Sequence, residues 1–261
     1  MDGGGSTVTR LGVDIGGTFT DLVVVDSDGK IIRKKVPSTV GNYSDGILNA
    51  IAQAERDDGL KRKSVSEIVH GTTIATNAIL EHKGARTGLI TTKGFRDVLE
   101  IRRLSMPKLY NLAWQKPTVL VERFFRREVD ERIAADGTVL VPLDPFEVVE
   151  VGRWLIDQGV ESLAVTFLNS YANRSHEEQA AAALREAFPD IPISVSVEIV
   201  PEMLEFERTS TTVVNAYVLP KVRHYVRALR QDLSAAGISA PLLIMQSNRM
   251  LKKPIGGSDF Y

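Results

Sequence analysis

Asp14-Ile15-Gly16-Gly17-Thr18-Phe19-Thr20-Asp21 is the stretch on which the reading of the fold turns. Short apolar runs flank it, Leu11–Ile15 before and Leu22–Asp26 after, both rich in Val and Ile. A third run, Ile31–Val36, follows the turn signal Ser27-Asp28-Gly29. Three consecutive antiparallel strands are predicted. Gly16 and Gly17 allow a tight turn whose backbone N–H groups face one point. Thr18 and Thr20 add hydroxyl donors, and such a concavity suits an anionic phosphate. Asp14, ending its strand, is placed to hold Mg²⁺ through water, since Mg²⁺ keeps much of its hydration shell. Asp21 opens the second strand and fixes the turn. A plain hairpin turn is the simpler alternative.

Working outward, Ser44–Arg56 carries Ile47, Leu48, Ile51 and Ala54 at helical spacing. Glu67–Val69 is a short strand entering His70-Gly71-Thr72-Thr73, and Ile74–His82 reads as a helix with Gly84 at its C-terminal cap. Ala85–Thr91 is another strand, so the order β-β-β-α-β-α-β predicts a mixed sheet with helical crossovers. Thr72 and Thr73, at a helix start, would bind an anion or polar substrate, or simply cap the helix. His70 is either an acid/base group or a core histidine satisfied by hydrogen bonds. Asn77 would brace the neighbouring loop.

Farther on, Leu104–Pro117 has no period and is read as a long loop, and the charged stretch Leu120–Ile133 as an extended hairpin arm. Asp136-Gly137 is a turn. Asp144 with Pro145 opens a helix over Phe146–Gln158, ended by Gly159. Ser162–Phe167 is a buried strand. Ser175 with Glu178 forms a capping box for a helix reaching about Phe188, and Ile193–Val197 is the next strand. Met203–Val218 is helical, its apolar positions broken by Thr209–Thr212, a poor helix-forming stretch that hints at a hinge or interface. Glu202, Glu205 and Glu207 lack a nearby His and read as a solvated face pairing with Arg208, not as a metal site. Val222–Leu233 gives the cleanest helix period, ended by Gly237, and Leu242–Met245 is a last strand. The division expected is residues 8–103, then 104–200 as an inserted α/β subdomain, then 201–248, then a loose tail at 249–261.

Composition narrows the function. The 261 residues are 43% hydrophobic and 25% charged, ordinary globular values that leave room for a full core. Lys+Arg is 32 against Asp+Glu 33, a net charge of −1, so the basic excess of a nucleic-acid binder is missing. The basic runs Arg33–Lys35, Lys61–Lys63 and Arg102–Arg103 read as solvated faces. With 0 Cys there are no disulfides, thiolate sites or cysteine nucleophiles. No run approaches a membrane span and no signal sequence is seen, so a cytoplasmic location is expected. The sequons at Asn42 and Asn173 read as chance. Neither G-x-x-x-x-G-K-[ST] nor a strand-borne G-x-G-x-x-G occurs, which excludes a P-loop and leaves no dinucleotide fingerprint. H-E-x-x-H and G-x-S-x-G are also missing, and His82, His176 and His224 stand isolated on predicted helices. Trp114 and Trp154 read as loop packing and helix core.

Three strings in this order, Val13–Asp21, Val69–Ala78 and Glu207–Tyr217, with Leu89–Ile101 and Ile244–Asn248 between and after, resemble the hydantoinase A/oxoprolinase family over nearly all of Thr9–Asn248. The first string alone resembles the wider actin-like ATPase and sugar-kinase group. The resemblance implies an actin/Hsp70-like (ribonuclease H-like) mixed-sheet half-clamp with an inserted α/β subdomain. It implies ATP and Mg²⁺ as cofactors, with Asp14 organising Mg²⁺ and Gly16, Gly17, Thr18, Thr20 and Asp21 at the phosphate. It further implies an A-type subunit that works with a hydantoinase B-type subunit. ATP would activate the carbonyl of a cyclic amide for hydrolysis, or of a ketone for carboxylation, with His70, Thr72 and Thr73 at the reacting end. The family's second Asp-x-Gly-Gly-Thr loop has no counterpart here, where the string occurs once at Asp14–Thr18. The chain is therefore expected to be an N-terminal portion, incomplete without a C-terminal half and with an apolar face open to that half or to a second copy. A non-catalytic assembly module and an actin-like small-molecule kinase are the competing expectations.

Overall fold

The structure, a computed structural model, describes residues 9–39, 43–103, 111 and 113–245. The expected tail at 249–261, residues 246–248, the Asn42 sequon and most of the 104–117 loop lie outside the described residues. Contacts divide the described residues into two compact units, one formed by the segments ending at Asn77 and beginning at Val222, the other by Ala78–Lys221.

The first unit opens with β1 (Thr9–Ile15), β2 (Phe19–Val25) and β3 (Ile31–Pro37), paired antiparallel in sequence order as predicted. Alternation sets their faces: β1 reads buried at Thr9, Leu11, Val13 and Ile15 and open at Arg10 and Asp14. The β2–β3 turn is built by Asp26, whose Oδ1 accepts the amides of Asp28 (3.0 Å) and Lys30 (2.8 Å), with Gly29 left-handed at φ 80°. The helix α1 (Tyr43–Asp58) buries Ile47, Ala50, Ile51 and Ala54 against this sheet. The strand β4 (Val65–Thr72) runs parallel to β1, and α2 (Ile74–Leu80) follows.

The second unit holds a wholly parallel sheet. It contains β5 (Thr87–Thr92), β6 (Arg126–Val129), β9 (Ser162–Thr166) and β10 (Ile193–Val195) in the order β10-β9-β5-β6. Every residue of β5, β9 and β10 is buried, as expected of strands covered on both faces of a parallel sheet. The expectation that Ala85–Thr91 extends the first sheet is thus corrected: β5 pairs with β6 and β9 instead. The hairpin arm expected at Leu120–Ile133 is also corrected. Arg126 is 1% exposed inside β6, where its Nε donates to Val121 O (3.0 Å) and its Nη2 pairs with Glu100 (3.2 Å). Only β7 (Arg132–Ile133) turns back, at Asp136-Gly137, onto β8 (Val139–Val141). Between these lie α3 (Val98–Ile101), α4 (Pro145–Asp157), α5 (Ser175–Ala187) and α6 (Ser196–Ile199). The α4 start is as predicted, with the Asp144 carboxylate accepting the Phe146 amide at 2.9 Å. The capping box of α5 does not form. The Asn173 side chain accepts the Ser175 amide instead (3.1 Å), and Glu178 turns to Arg174.

The helix α7 (Glu205–Ala235) is continuous for 31 residues and runs through Thr209–Thr212. The Thr212 hydroxyl donates to Arg208 O at 2.7 Å, so a poor helix former is satisfied within its own helix. From Val222 onward α7 packs Tyr225, Val226, Leu229 and Leu233 into the first unit's core. Finally β11 (Leu242–Ile244) adds parallel to β4 and completes the order β11-β4-β1-β2-β3. Three antiparallel strands followed by two parallel ones in this order form the mixed sheet of the ribonuclease H-like and actin-like folds. The Gly84 cap is corrected: His82 adopts the left-handed conformation (φ 53°), and Gly84 serves a close contact in which a Cβ would fall 2.0 Å from Tyr217 Cε1.

Candidate functional site

The β1–β2 turn closes after the pair Ile15–Thr20. Within it the Gly16 amide donates to Phe19 O at 2.9 Å, so that N–H is engaged by the turn itself. Neither Gly16 nor Gly17 has a left-handed φ; their value here is space. A Cβ at Gly16 would sit 3.2 Å from Phe19 O, and one at Gly17 would meet nothing within 4 Å. Ser38, just past β3, clamps the turn from below. Its amide donates to Thr18 O (2.9 Å) and its hydroxyl to Gly16 O (2.9 Å). Thr20 lies on this buried side. Its side chain is 0% exposed, its hydroxyl bonds the Ser38 hydroxyl (3.0 Å), and a Cβ at Gly46 would crowd it at 2.7 Å. In this arrangement the Thr20 hydroxyl holds the turn. Thr18 is exposed.

Asp14 points to the opposite, open face. Its neighbour across β2 is Asp21 and its neighbour across β4 is Gly71. A Cβ on Gly71 would stand 3.4 Å from Asp14 Oδ1, so the missing side chain keeps that flank of the carboxylate uncovered. Asp21 is paired with Lys35 at 3.1 Å, both half exposed. Lys35 Nζ also lies 5.1 Å over the Phe19 ring, which fixes one edge of the turn.

The second string is brought to the same sheet end but on both faces. Val13 faces His70 and Ile15 faces Thr72 in the parallel register. His70 is 0% exposed, with Nδ1 3.2 Å from Val13 O and Nε2 2.7 Å from the Tyr225 hydroxyl. Burial pushes its pKa down, with the Val13 carbonyl and the Asp14 charge opposing. The core-histidine reading describes its environment. Thr72 Oγ1 accepts the Ile74 amide (3.3 Å), and Thr73 Oγ1 accepts from Asn77 Nδ2 (3.3 Å). Both hydroxyls thus serve the start of α2, and Asn77 braces Thr73.

The second unit buries a set of polar groups, of which Glu131 and Glu177 carry no signal in the sequence. Glu131, Glu177, His176 and Arg208 are all at most 3% exposed. Arg208, expected on a solvated face, donates to Ser196 Oγ (2.9 Å), to Ser170 Oγ and to Phe167 O (2.8 Å), and pairs with Glu205 and Glu177. Glu177 in turn accepts the amides of Phe167 (2.7 Å) and Val197 (2.9 Å) and the Ser196 hydroxyl. His176 Nδ1 meets Glu131 at 2.7 Å, and Glu131 meets Thr92. These groups cluster beyond the carboxyl ends of β5 and β9, the usual ligand position of a parallel sheet. Here the protein's own side chains fill it. Among the described residues no cluster of three or more His, Asp and Glu could hold a metal, and no helix is long and apolar enough to cross a membrane.

Comparison with known proteins agrees with this architecture. The sequence pattern of the hydantoinase/oxoprolinase N-terminal region matches residues 10–188, and that of hydantoinase/oxoprolinase matches residues 208–252. The caprolactamase subunit alpha of Pseudomonas jessenii is 36% identical over 92% of the chain, and the acetophenone carboxylase gamma subunit of Aromatoleum aromaticum 32% identical over 92%. The chain spans 35% of the length of each of these relatives. The crystal structure of the ATP-dependent caprolactamase superposes with a TM-score of 0.83, covering 93% of this chain and 36% of that one. A nucleotide-free acetone carboxylase does so with a TM-score of 0.82 at 25% identity, covering 94% and 37%. The fold is accordingly actin-like, and with its sequence pattern matched over well more than half its length the chain belongs to the hydantoinase/oxoprolinase family.

Proposed function

We propose that the Asp14–Asp21 turn is a phosphate-binding edge of an ATP-using site that activates an amide or ketone carbonyl. The observation that carries this is the open Asp14 carboxylate, set near the end of β1 with side-chain-free Gly71 as its neighbour on β4 and Asp21 on β2. The Asp14 carboxylate is a hard oxygen donor, which fits Mg²⁺ bound through water. When bound, Mg²⁺ would neutralise charge on the phosphates. Within this chain, Asp14 would orient the ion's hydration shell, and Gly17 and Thr18 would let backbone approach a phosphate oxygen. Ser38 and Thr20 hold the turn in that shape. Relatives described as ATP-dependent support the cofactor. Relatives described as subunits support a partner chain, which we take to be of the B type. A cyclic amide or a ketone is the substrate this family reading favours, in the cytoplasm.

Titrating Mg-ATP into the chain while following amide spectra of residues 14–21 tests the reading. Perturbation of these amides that needs Mg²⁺ is expected. Asp14→Asn should leave the fold intact and abolish the Mg²⁺ dependence. An unchanged Mg²⁺ response in that variant would refute the assignment.

A further inference from the structure

The hydrogen bonds around His70 determine more than its burial. Val13 O can only accept, so the ring nitrogen facing it, Nδ1, carries the proton. A buried neutral imidazole has one N–H, which leaves Nε2 as an acceptor. The Tyr225 hydroxyl, 2.7 Å away, must then be the donor. The Val13 carbonyl belongs to the rigid peptide plane that ends at the Asp14 Cα. Holding that oxygen holds the direction in which Asp14 leaves the strand. The same histidine accepts, through its own carbonyl, the Met245 amide at 2.9 Å, and its next residue is the Gly71 that flanks the Asp14 carboxylate.

We propose that Tyr225 and His70 are positioning residues for Asp14: the Tyr225 hydroxyl locks the His70 ring in its Nδ1–H form, and the ring fixes the Val13–Asp14 peptide plane. Its functional consequence rests on the Asp14–Asp21 turn being the ligand site, whereas the hydrogen bonds themselves do not. The tie joins a residue of α7 to one in β1 through β4. Neither residue touches solvent enough to meet a ligand, since His70 is 0% and Tyr225 8% exposed.

Imidazole ¹⁵N spectra of the unaltered protein provide the first test. A single neutral Nδ1–H pattern for His70 is expected, and an Nε2–H pattern overturns the inference. Amide hydrogen exchange provides the second. Tyr225→Phe and His70→Gln should accelerate exchange at residues 14–18 at least tenfold more than at 31–35 in β3. His70→Asn, whose amide nitrogen falls near the Nδ1 position, should restore most of the protection, because the donor to Val13 O returns. Equal acceleration in both segments, or His70→Asn as damaging as His70→Gln, overturns it. Mg-ATP titrated in parallel separates the two readings. If wild-type turn amides ignore nucleotide, the ATP assignment falls while the exchange comparison still decides the role of Tyr225.

Discussion

Replacing Arg208 with Met probes a fully buried ion pair in the second unit. The substitution keeps much of the side-chain volume and removes the guanidinium. Glu177, 0% exposed, would then lose the buried cation 3.5 Å away, and Phe167 O, Ser170 and Ser196 would each lose a donor. Breaking a buried pair by removing one partner costs about 3–5 kcal/mol. For a chain of this size each kcal/mol moves the melting midpoint by about 2–4 °C, so the expected loss is roughly 6–20 °C. The sign with pH follows from Glu177. Burial pushes its pKa up, while the Ser196 hydroxyl, the two amides and Arg208 oppose. Without Arg208 the carboxyl is pushed up further. A carboxyl whose folded pKa exceeds its unfolded one contributes most stability below the unfolded value and loses it as pH rises through the folded value. The deficit of Arg208→Met relative to wild type should therefore shrink from about pH 8 toward the ordinary carboxylate range near 4–5. Adding Glu177→Gln should recover part of the loss, with a coupling of about 1–3 kcal/mol. Paired urea denaturation curves across pH provide the assay. A loss under about 1 kcal/mol, or a deficit independent of both pH and Glu177, would refute the reasoning.

Three further outcomes follow from single contacts. Gly84→Ala places a methyl 2.0 Å from the buried Tyr217 ring, whose backbone is held by the Ala85 amide (2.9 Å), and should cost about 1–3 kcal/mol in urea unfolding, partly recovered by Tyr217→Leu. Thr20→Val removes the partner of the Ser38 hydroxyl at 3.0 Å and should cost about 1 kcal/mol while raising amide exchange at Gly16–Thr18, a change that leaves the turn unaffected counting against the clamp. Asp144→Ala removes the cap of α4 and should lower stability by about 1 kcal/mol, whereas Asp144→Asn should be nearly silent in the same thermal melt.

Elements whose signals are local were legible. The short Val- and Ile-rich apolar runs Leu11–Ile15 and Leu22–Asp26 revealed two strands, Asp28-Gly29 their next turn, and Asp144-Pro145 with Gly159 both ends of α4. Charged residues misled where their partners lie far along the chain. Arg126 sits in a buried strand because Val121 O and Glu100 satisfy it, and Arg208 lies inside because Phe167 O, Ser170, Glu177 and Ser196 meet it. No periodicity registers such pairs, so one stretch read as an extended hairpin arm and the other as a solvated face. The Thr-rich stretch of α7 is a poor helix former by propensity, yet the Thr212 hydroxyl is satisfied within the helix by Arg208 O. At the site, Asp14, Gly16 and Gly17 were visible as a string, but Ser38 and Tyr225 were not. One is 22 residues from the carbonyl it binds and the other 155 from its histidine.

By itself the amino-acid sequence determined the class of strands, the tight turn and its acidic edge, because side-chain alternation and turn chemistry act between neighbours. Only the tertiary structure decided which sheet each strand joined, that Thr20 faces the interior while Asp14 faces outward, and that His70 is held between Val13 and Tyr225. The physical reason is that a polar group is buried only where another part of the chain supplies its hydrogen bonds, and that partner is chosen by folding, not by spacing.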